Sequence, residues 1–265
     1  MVYIKNAQQI DKMRIAGEKL YEVLQKVKEA VKPGITTAAL DVYAEQLIKK
    51  QGATPSFLRY GGGLRTEPYP ASLCTSVDEQ IVHGIPSQKT ILTDGQIVSL
   101  DCGLIWDGWH ADSALTVGVG QISQEAQRLI QVTEECFWKG ARQAVAGRHL
   151  GDIGYAVQTH AESNGYGVIR HLSGHGIGRS MHEDPEVANF GEPGRKSRLR
   201  EGMTFAIEPM ICAGDWDAAE LDDGWTFVTK DRSLCSHYEH TVAVTDDGLP
   251  LILTLPGFKW DKEGL

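Results

Sequence analysis

The sequence lacks the features of several large classes of protein. Its five cysteines are scattered, odd in number and form no CxxC pair, which argues against a disulfide framework and a cysteine-type zinc site. Its apolar runs are only strand-length, so we expect no transmembrane helix, and its N-terminal segment has no signal-peptide pattern. The net charge of −9 disfavours nucleic-acid binding. We therefore expect a cytoplasmic protein without membrane or specific nucleic-acid partners.

The chain does contain a regular alternation of helix and strand patterns. Asn6 is predicted to cap a first helix, and Thr37 to cap a second helix over 38–51. Strands separated by glycine and proline follow, then helices over 123–164, then further strands. This order predicts an α+β protein, and we expect one domain over residues 1–265.

The repeated order of helices and strands suggests an internal duplication. Several positions match between the two halves, and the first three matches share an offset of 113 residues. The matches are Gly34 with Gly147, Leu40 with Ile153, Gly52 with Gly165, 83–85 with 175–177, 94–101 with 201–208 and 110–112 with 237–239. Chance similarity between two α+β halves is the alternative. Because each half repeats a histidine and two acids in the same order, we predict half-domains of about 1–120 and 121–265 around one shared site.

Two aspartates are predicted to converge in the first half. Asp101 ends the apolar strand IVSL, and Asp107-Gly108 is typical of a two-residue hairpin turn. Such a turn places Asp112 opposite Gly103, so Asp101 and Asp112 become diagonal neighbours on one face, about 7–8 Å apart. Two carboxylates meeting beside apolar strands repel each other, by about 4 kcal/mol at 4 Å. Protonation of one acid or a bound cation would relieve this repulsion.

The second half supplies equivalent acids and a histidine. Glu208 ends the apolar strand TFAI, and Glu239 precedes the apolar strand TVAV. A single strand-end acid is usually solvated or salt-bridged, but four in duplicated positions favour a metal site. Carboxylates with one imidazole suit Mn, Fe(II), Co or Zn. Two bridged ions would hold and deprotonate a water and polarise a carbonyl.

Three histidines stand out beside these acids. His175 and His182 lie in the glycine-rich segment HLSGHGIGRSMHEDP, where glycine lets the backbone approach a ligand. His83 is assigned as the duplicate of His175. His171 lies in the same segment, and its role stays open. His110, His160, His237 and His240 are interpreted as structural, although His110 and His237 sit beside predicted ligands and are candidates for support of the metal ligands.

Several motifs together resemble methionine aminopeptidases of the type I class. They span most of the chain and are SLCTSVDEQIVHGIP, DGQIVSLDCGLIWDGWHADSALTV, SGHGIGRSMHEDPEV, EGMTFAIEP and YEHTVAVT. The resemblance implies the pita-bread fold, an antiparallel sheet flanked by helices with pseudo-twofold symmetry. It implies an exopeptidase that removes the N-terminal methionine from nascent proteins and peptides, with a small second residue preferred.

The resemblance also implies roles for individual residues. It implies two divalent metal ions on Asp101, Asp112, His175, Glu208 and Glu239. Glu208 would act as general base and pass its proton to the leaving amine. The family's two further catalytic histidines match His83, on the scissile amide, and His182, on the substrate carbonyl oxygen.

The methionine pocket matches the family less closely. The pocket positions are implied to be Tyr69, Cys74, Met181 and Trp225. Gly63 stands where the family often has cysteine, and Thr66 where it has an aromatic residue, so we expect a wider pocket. Asp78 replaces a frequent asparagine, with an expected position near the mouth of the pocket.

Two other functions remain open from the sequence. An X-Pro aminopeptidase or prolidase would use a similar ligand set but usually carries a large additional N-terminal domain. A binding protein on the same fold would have lost ligands, and none of the five is missing here. We expect a monomer that acts on nascent polypeptide N-termini, with the ribosome as a further candidate partner, and the sequence leaves the native metal open.

Overall fold

Helices and strands alternate along the chain as the sequence predicts. The computed structural model describes residues 2–62, 67–246 and 248–260. The helices are α1 (Ala7–Ala30), α2 (Thr37–Lys50), α3 (Gln124–Ala141) and α4 (Leu150–Ser163). In the part of the chain that the structure describes, no helix is both long enough and apolar enough to cross a bilayer.

Short strands make up the rest of the regular structure. In the first half they are β1 (Thr54–Pro55), β2 (Leu73–Val77), β3 (Gln80–Val82), β4 (Ile97–Trp106) and β5 (Trp109–Gly118). In the second half they are β6 (Gly167–Val168), β7 (Ser173–Gly176), β8 (Glu183–Ala188), β9 (Thr204–Ile207), β10 (Met210–Cys212), β11 (Ala218–Glu220), β12 (Phe227–Thr229), β13 (Cys235–His237), β14 (Glu239–Ala243) and β15 (Leu251–Ile252).

A large antiparallel sheet organises the molecule. Its strand order is β1-β4-β5-β14-β9-β7-β8, with β2 beside β4 and β15 beside β14. Two small sheets, β13-β10-β6 and β11-β12-β3, lie outside this path. One apolar cluster joins α1 and α2 to β4, and another joins α3 and α4 to β9 and β14. The α+β class and the antiparallel sheet flanked by helices are therefore confirmed.

The internal duplication is visible in backbone details. Gly34 and Gly147 both adopt a positive φ, +90° and +92°, which glycine tolerates best. Their N–H groups donate to matched carbonyls, Leu92 at 2.8 Å and Leu199 at 2.9 Å. The strands that pair at the centre of the large sheet, β5 and β14, come from different halves. The pseudo-twofold prediction is confirmed, whereas the boundary near residue 120 stays a prediction.

The pairing of His83 with His175 in the duplication is wrong. Val98 and Phe205 occupy matching positions in the duplicated segments 94–101 and 201–208. Their partners in the sheet are Val77 and Gly176, so these two residues also match. The counterpart of His175 in this register is Ser76, not His83. The chain reverses after β2, and Thr75 N–H donates to Gly84 O at 2.8 Å. His83 therefore follows β3, which pairs with β12 in a small sheet.

The predicted hairpin between β4 and β5 is confirmed residue by residue. Trp106 faces Trp109, and Gly103 faces Asp112. The turn residues Asp107 and Gly108 both have positive φ, 49° and 74°, as a type I′ turn requires. This turn fixes the register, and the register decides which side chains share the face with Asp112.

The helix starts agree with the sequence except at one position. Asn6 forms a capping box with Gln9, as a cap of α1 should. The cap of α2 is Thr36 rather than Thr37, because the Thr36 side chain accepts from Ala39 N–H at 3.2 Å. The Thr37 hydroxyl instead exchanges hydrogen bonds with the backbone of Ser87.

Candidate metal centre

Four acids converge from four neighbouring strands at the middle of the large sheet. Asp101 lies in β4, Asp112 in β5, Glu239 at the start of β14, and Glu208 directly after β9. Only 8% of Asp101, 3% of Asp112 and 1% of Glu239 is exposed. The strand order β4-β5-β14-β9 thus brings one acid from each of four neighbouring strands to the same part of the sheet, with Asp112 diagonal to Asp101 as the sequence predicts.

His175 faces this group of acids. Its Nε2 lies 3.7 Å from Asp112 Oδ2 and 3.7 Å from Glu208 Oε1. Its Nδ1 is 3.0 Å from the carbonyl oxygen of Gly176, which accepts a hydrogen bond from that nitrogen. This hydrogen bond turns Nε2 toward the acids, the orientation that a histidine ligand of a metal has. The structure therefore brings together all five predicted ligands.

The buried acids fit a divalent cation. Asp101 Oδ1, Asp112 Oδ1 and Glu239 Oε1 are buried without a hydrogen-bond partner. Burial and the neighbouring carboxylates raise the pKa of Asp101 and of Glu239 well above the ordinary values. Ligand atoms of Asp112, His175 and Glu239 all lie within 4.8 Å of one another. Such oxygens need a positive partner, and one imidazole among carboxylates suits the metals predicted from the sequence.

His237 is a further member of the site. Its Nε2 lies 3.4 Å from Glu208 Oε2 and 3.9 Å from Glu239 Oε2, and its side chain is 1% exposed. Burial alone would raise the pKa of the Glu208 carboxyl, but the neighbouring His237 and His175 have the larger effect and hold that pKa below its usual value. In the sequence, the position of His237 beside Glu239 is the one signal for this role.

Two threonines fix the backbone where β5 meets β14. The Thr241 hydroxyl donates to Asp112 O at 2.9 Å and accepts from Asp112 N–H at 3.1 Å. Thr116 bridges His237 in the same way on the other side. These hydroxyl bridges flank the direct pairing of β14 with β5, in which Glu239 lies opposite Ala114, two residues along β5 from Asp112.

A cavity of about 230 Å³ opens above the acids. All four predicted pocket residues line it, namely Tyr69, Cys74, Met181 and Trp225. Phe57 and Tyr60 also line it and were not predicted. A larger groove of about 820 Å³ runs elsewhere along the start of α4, but the converging acids lie in the smaller cavity.

His83 and His182 stand over the acids as neutral imidazoles. Burial lowers the pKa of each to about 4. The Tyr60 hydroxyl forms a short hydrogen bond with His182 Nδ1, and the ring of His182 lies 4.2 Å from that of His175. His83 packs edge-on against Trp225, with 6.2 Å between the ring centres. All predicted site residues therefore meet in one cavity.

Asp78, expected near the mouth of the pocket, is not among the residues that line the cavity. Its carboxylate accepts hydrogen bonds from Ile97 N–H at 3.0 Å and from the Gln96 amide at 2.8 Å. It stabilises the turn between β2 and β3 instead. Gly63 and Thr66 lie outside the described residues, so the expected widening of the pocket stays a prediction.

Comparison with known proteins identifies the family of the chain. The model of metallopeptidase family M24 matches residues 11–246. The chain is 51% identical to a methionine aminopeptidase of Clostridium acetobutylicum, over 96% of this chain and 99% of that protein. It is 52% identical to one of Clostridium perfringens with the same coverage. The resemblance to methionine aminopeptidases is thereby confirmed.

Solved structures show the same relationship in the fold. The methionine aminopeptidase of Rickettsia prowazekii superposes with a TM-score of 0.92 at 41% identity, covering 96% of this chain and 100% of that chain. A prolidase of Pyrococcus horikoshii gives 0.75 at 22% identity and is covered to 65%. That second likeness shows the fold alone.

Proposed function

The chain belongs to metallopeptidase family M24, and we propose that it removes the N-terminal methionine from nascent proteins and peptides, with a small second residue preferred. The observation that carries this proposal is the position of the unpaired buried acids at the base of an apolar cavity. An enclosed cavity of this kind suits one side chain at the end of a peptide.

The five converging side chains are proposed to hold two divalent metal ions. Asp101, Asp112, His175, Glu208 and Glu239 supply carboxylate oxygens and one imidazole nitrogen, which suit Mn, Fe(II), Co or Zn. When bound, the ions would supply Lewis-acid chemistry that acidifies a water and polarises a carbonyl group.

Glu208 is proposed as the general base. Its pKa is held below the usual value, so its carboxylate is ionised and ready to accept a proton. It would take that proton from the attacking water and deliver it to the amine nitrogen that leaves. Asn189 Nδ2 donates to Glu208 O at 2.9 Å and so fixes the backbone that carries the base.

The two neutral histidines are proposed to bind the scissile peptide. With a pKa of about 4, each has one N–H to donate at neutral pH. The Tyr60 hydroxyl occupies His182 Nδ1, so Nε2 is the nitrogen left for the substrate carbonyl oxygen. His83, on the opposite wall, is proposed to contact the scissile amide nitrogen.

The side walls of the cavity are proposed to select methionine. Met181 is buried, and Tyr69 packs edge-on against Trp225 at 5.2 Å between ring centres. Burial raises the pKa of the Cys74 thiol well above its usual value, so this side chain is neutral and behaves as a small apolar group. An unbranched thioether fits apolar walls of this kind.

The setting of the reaction follows from the same proposal. The partners are nascent polypeptide N-termini, with the ribosome as a candidate site of action, and we propose that the enzyme works as a cytoplasmic monomer. The five cysteines are free and buried in the structure, which is compatible with a reducing compartment.

The test is release of free methionine from Met-Ala-Ser by chelator-stripped protein, with and without added Mn or Co. Release only with metal supports the proposal, and Ala-Pro peptides tested in parallel separate it from an X-Pro aminopeptidase. A folded sample that binds metal and releases proline-linked residues but no methionine would refute it. A folded sample that binds no metal would instead point to a non-catalytic binding protein.

A further inference from the structure

The loop between β7 and β8 brings Met181 and His182 to the cavity. Glu183 follows His182 directly and turns its carboxylate back toward the loop. Its Oε1 accepts hydrogen bonds from the N–H groups of Arg179 at 2.7 Å and Ser180 at 3.1 Å. One oxygen of Glu183 therefore closes the loop onto its own backbone.

The other oxygen of Glu183 meets a lysine from the beginning of the chain. Lys5 Nζ lies 2.7 Å from Glu183 Oε2, and the two side chains are 1% and 14% exposed. Lys5 is itself held by its backbone N–H, which donates to Gly202 O at 2.8 Å. Because the pair is nearly buried, salt screens it little and loss of one partner leaves the other charge uncompensated.

The backbone of the loop lies directly against this ion pair. A Cβ at Gly178 would lie 2.6 Å from Lys5 Cε and 2.8 Å from Glu183 Oε1, so any side chain there would displace the ion pair. Gly178 O also accepts from His110 N–H at 2.8 Å, which ties the loop to β5. Both ends of the segment that carries Met181 and His182 are thus fixed.

We propose that the Lys5–Glu183 ion pair positions the loop so that His182 and Met181 face the cavity. Neither Lys5 nor Glu183 lines the cavity, so both act through the loop and not on the substrate. The inference rests on the proposed function, since it concerns the histidine assigned to the substrate carbonyl oxygen.

The experiment uses two variants and one control of the whole 265-residue chain loaded with Zn, which is diamagnetic and leaves NMR signals near the site visible. Lys5→Met removes the ammonium group and leaves the carboxylate buried alone. Lys5→Met combined with Glu183→Gln removes both charges, so it tests the loop even if the single variant fails to fold. The control is Lys12→Met, which breaks the Lys12–Asp107 pair of 2.6 Å whose side chains are 46% and 51% exposed.

Two readouts separate positioning from general structural damage. The first is kcat and KM for Met-Ala-Ser. The second is the NMR signal of the His182 ring, assigned by its loss in a His182→Gln sample. We expect kcat to fall roughly tenfold or more in both Lys5 variants, because small misplacements of a catalytic group are costly. We expect KM to change much less, the His182 signal to shift, and Lys12→Met to match the unaltered protein.

Folded Lys5 variants with an unshifted His182 signal and unaltered kcat would overturn the proposal. An unaltered protein that releases no methionine with any metal would refute only the proposed function and not the positioning role of the ion pair. The His182 signal needs no turnover, so it would still decide whether the ion pair positions the loop.

Discussion

Replacing Asp101 with asparagine should stabilise the metal-free protein while removing its response to metal. Asp101 is 8% exposed, and its Oδ1 is buried without a hydrogen-bond partner. Burial, then the charges of Asp112 and Glu208, raise its pKa well above the ordinary value. Without a cation, the ionised side chain is therefore a source of instability, which the proposed metal site would require.

The size of the effect follows from the negative charge, because asparagine keeps a buried oxygen and removes only the charge. A buried polar group without a partner costs about 1–3 kcal/mol and more when it is charged, so we expect removal of the charge to recover an amount of this order. Since 1 kcal/mol shifts the melting temperature of a protein of this size by roughly 2–4 °C, Asp101→Asn should raise that of the chelator-stripped protein by roughly 2–12 °C. A ligand at 100 times its Kd adds about 2.7 kcal/mol to the unaltered protein, and the variant should lose most of that gain.

The pH dependence gives the same prediction a second test. The folded pKa of Asp101 lies above the unfolded value of about 3.9, so the folded state binds the extra proton and loses stability as pH rises above that value. The advantage of Asp101→Asn should therefore be present at pH 7 and vanish near pH 4.

A paired acid supplies the control for this comparison. Asp152 is partly buried, but its Oδ2 accepts from His149 N–H at 2.7 Å and its Oδ1 from Gly194 N–H at 2.7 Å. These bonds outweigh burial and hold the pKa of Asp152 below the ordinary value. Asp152→Asn weakens these charge-assisted bonds and should destabilise the protein without changing its metal response. Thermal unfolding with and without Mn measures both variants. A metal-free Asp101→Asn protein that melts below the unaltered one at pH 7 would refute the reasoning.

Two more predictions concern the same site. Glu208→Ala should abolish methionine release while the protein still folds, because no other assigned group takes the proton, and near-normal turnover would contradict this role. Metal affinity should fall between pH 7 and pH 5, since Asp112 and Glu208 outweigh burial and raise the pKa of His175, which must be neutral to bind. Calorimetric titration across this range measures it, and affinity unchanged down to about pH 4.5, below the ordinary imidazole pKa, would count against His175 as ligand.

Local signals explain why the centre of the sheet could be predicted from sequence. The dipeptide Asp107-Gly108 specifies the turn, the turn specifies the register, and the register puts Asp112 opposite Gly103. The second half repeats the pattern, so Glu208 and Glu239 follow by analogy. The same analogy failed for His83, because two HGI triplets look alike although only His175 stands in the large sheet.

The walls of the cavity depend on contacts that carry no local signal. Tyr60 reaches His182 across 122 positions of sequence, and Lys5 reaches Glu183 across 178. In the sequence, Tyr60 looks like an ordinary surface tyrosine, and Lys5 looks like an ordinary lysine before a helix. What distinguishes Lys5 is burial against Gly178, where the missing side chain leaves room for the ammonium group. The positions of the proposed metal ligands are therefore specified by strand register, whereas the orientation of the histidine above them depends on long-range packing that only the folded chain reveals.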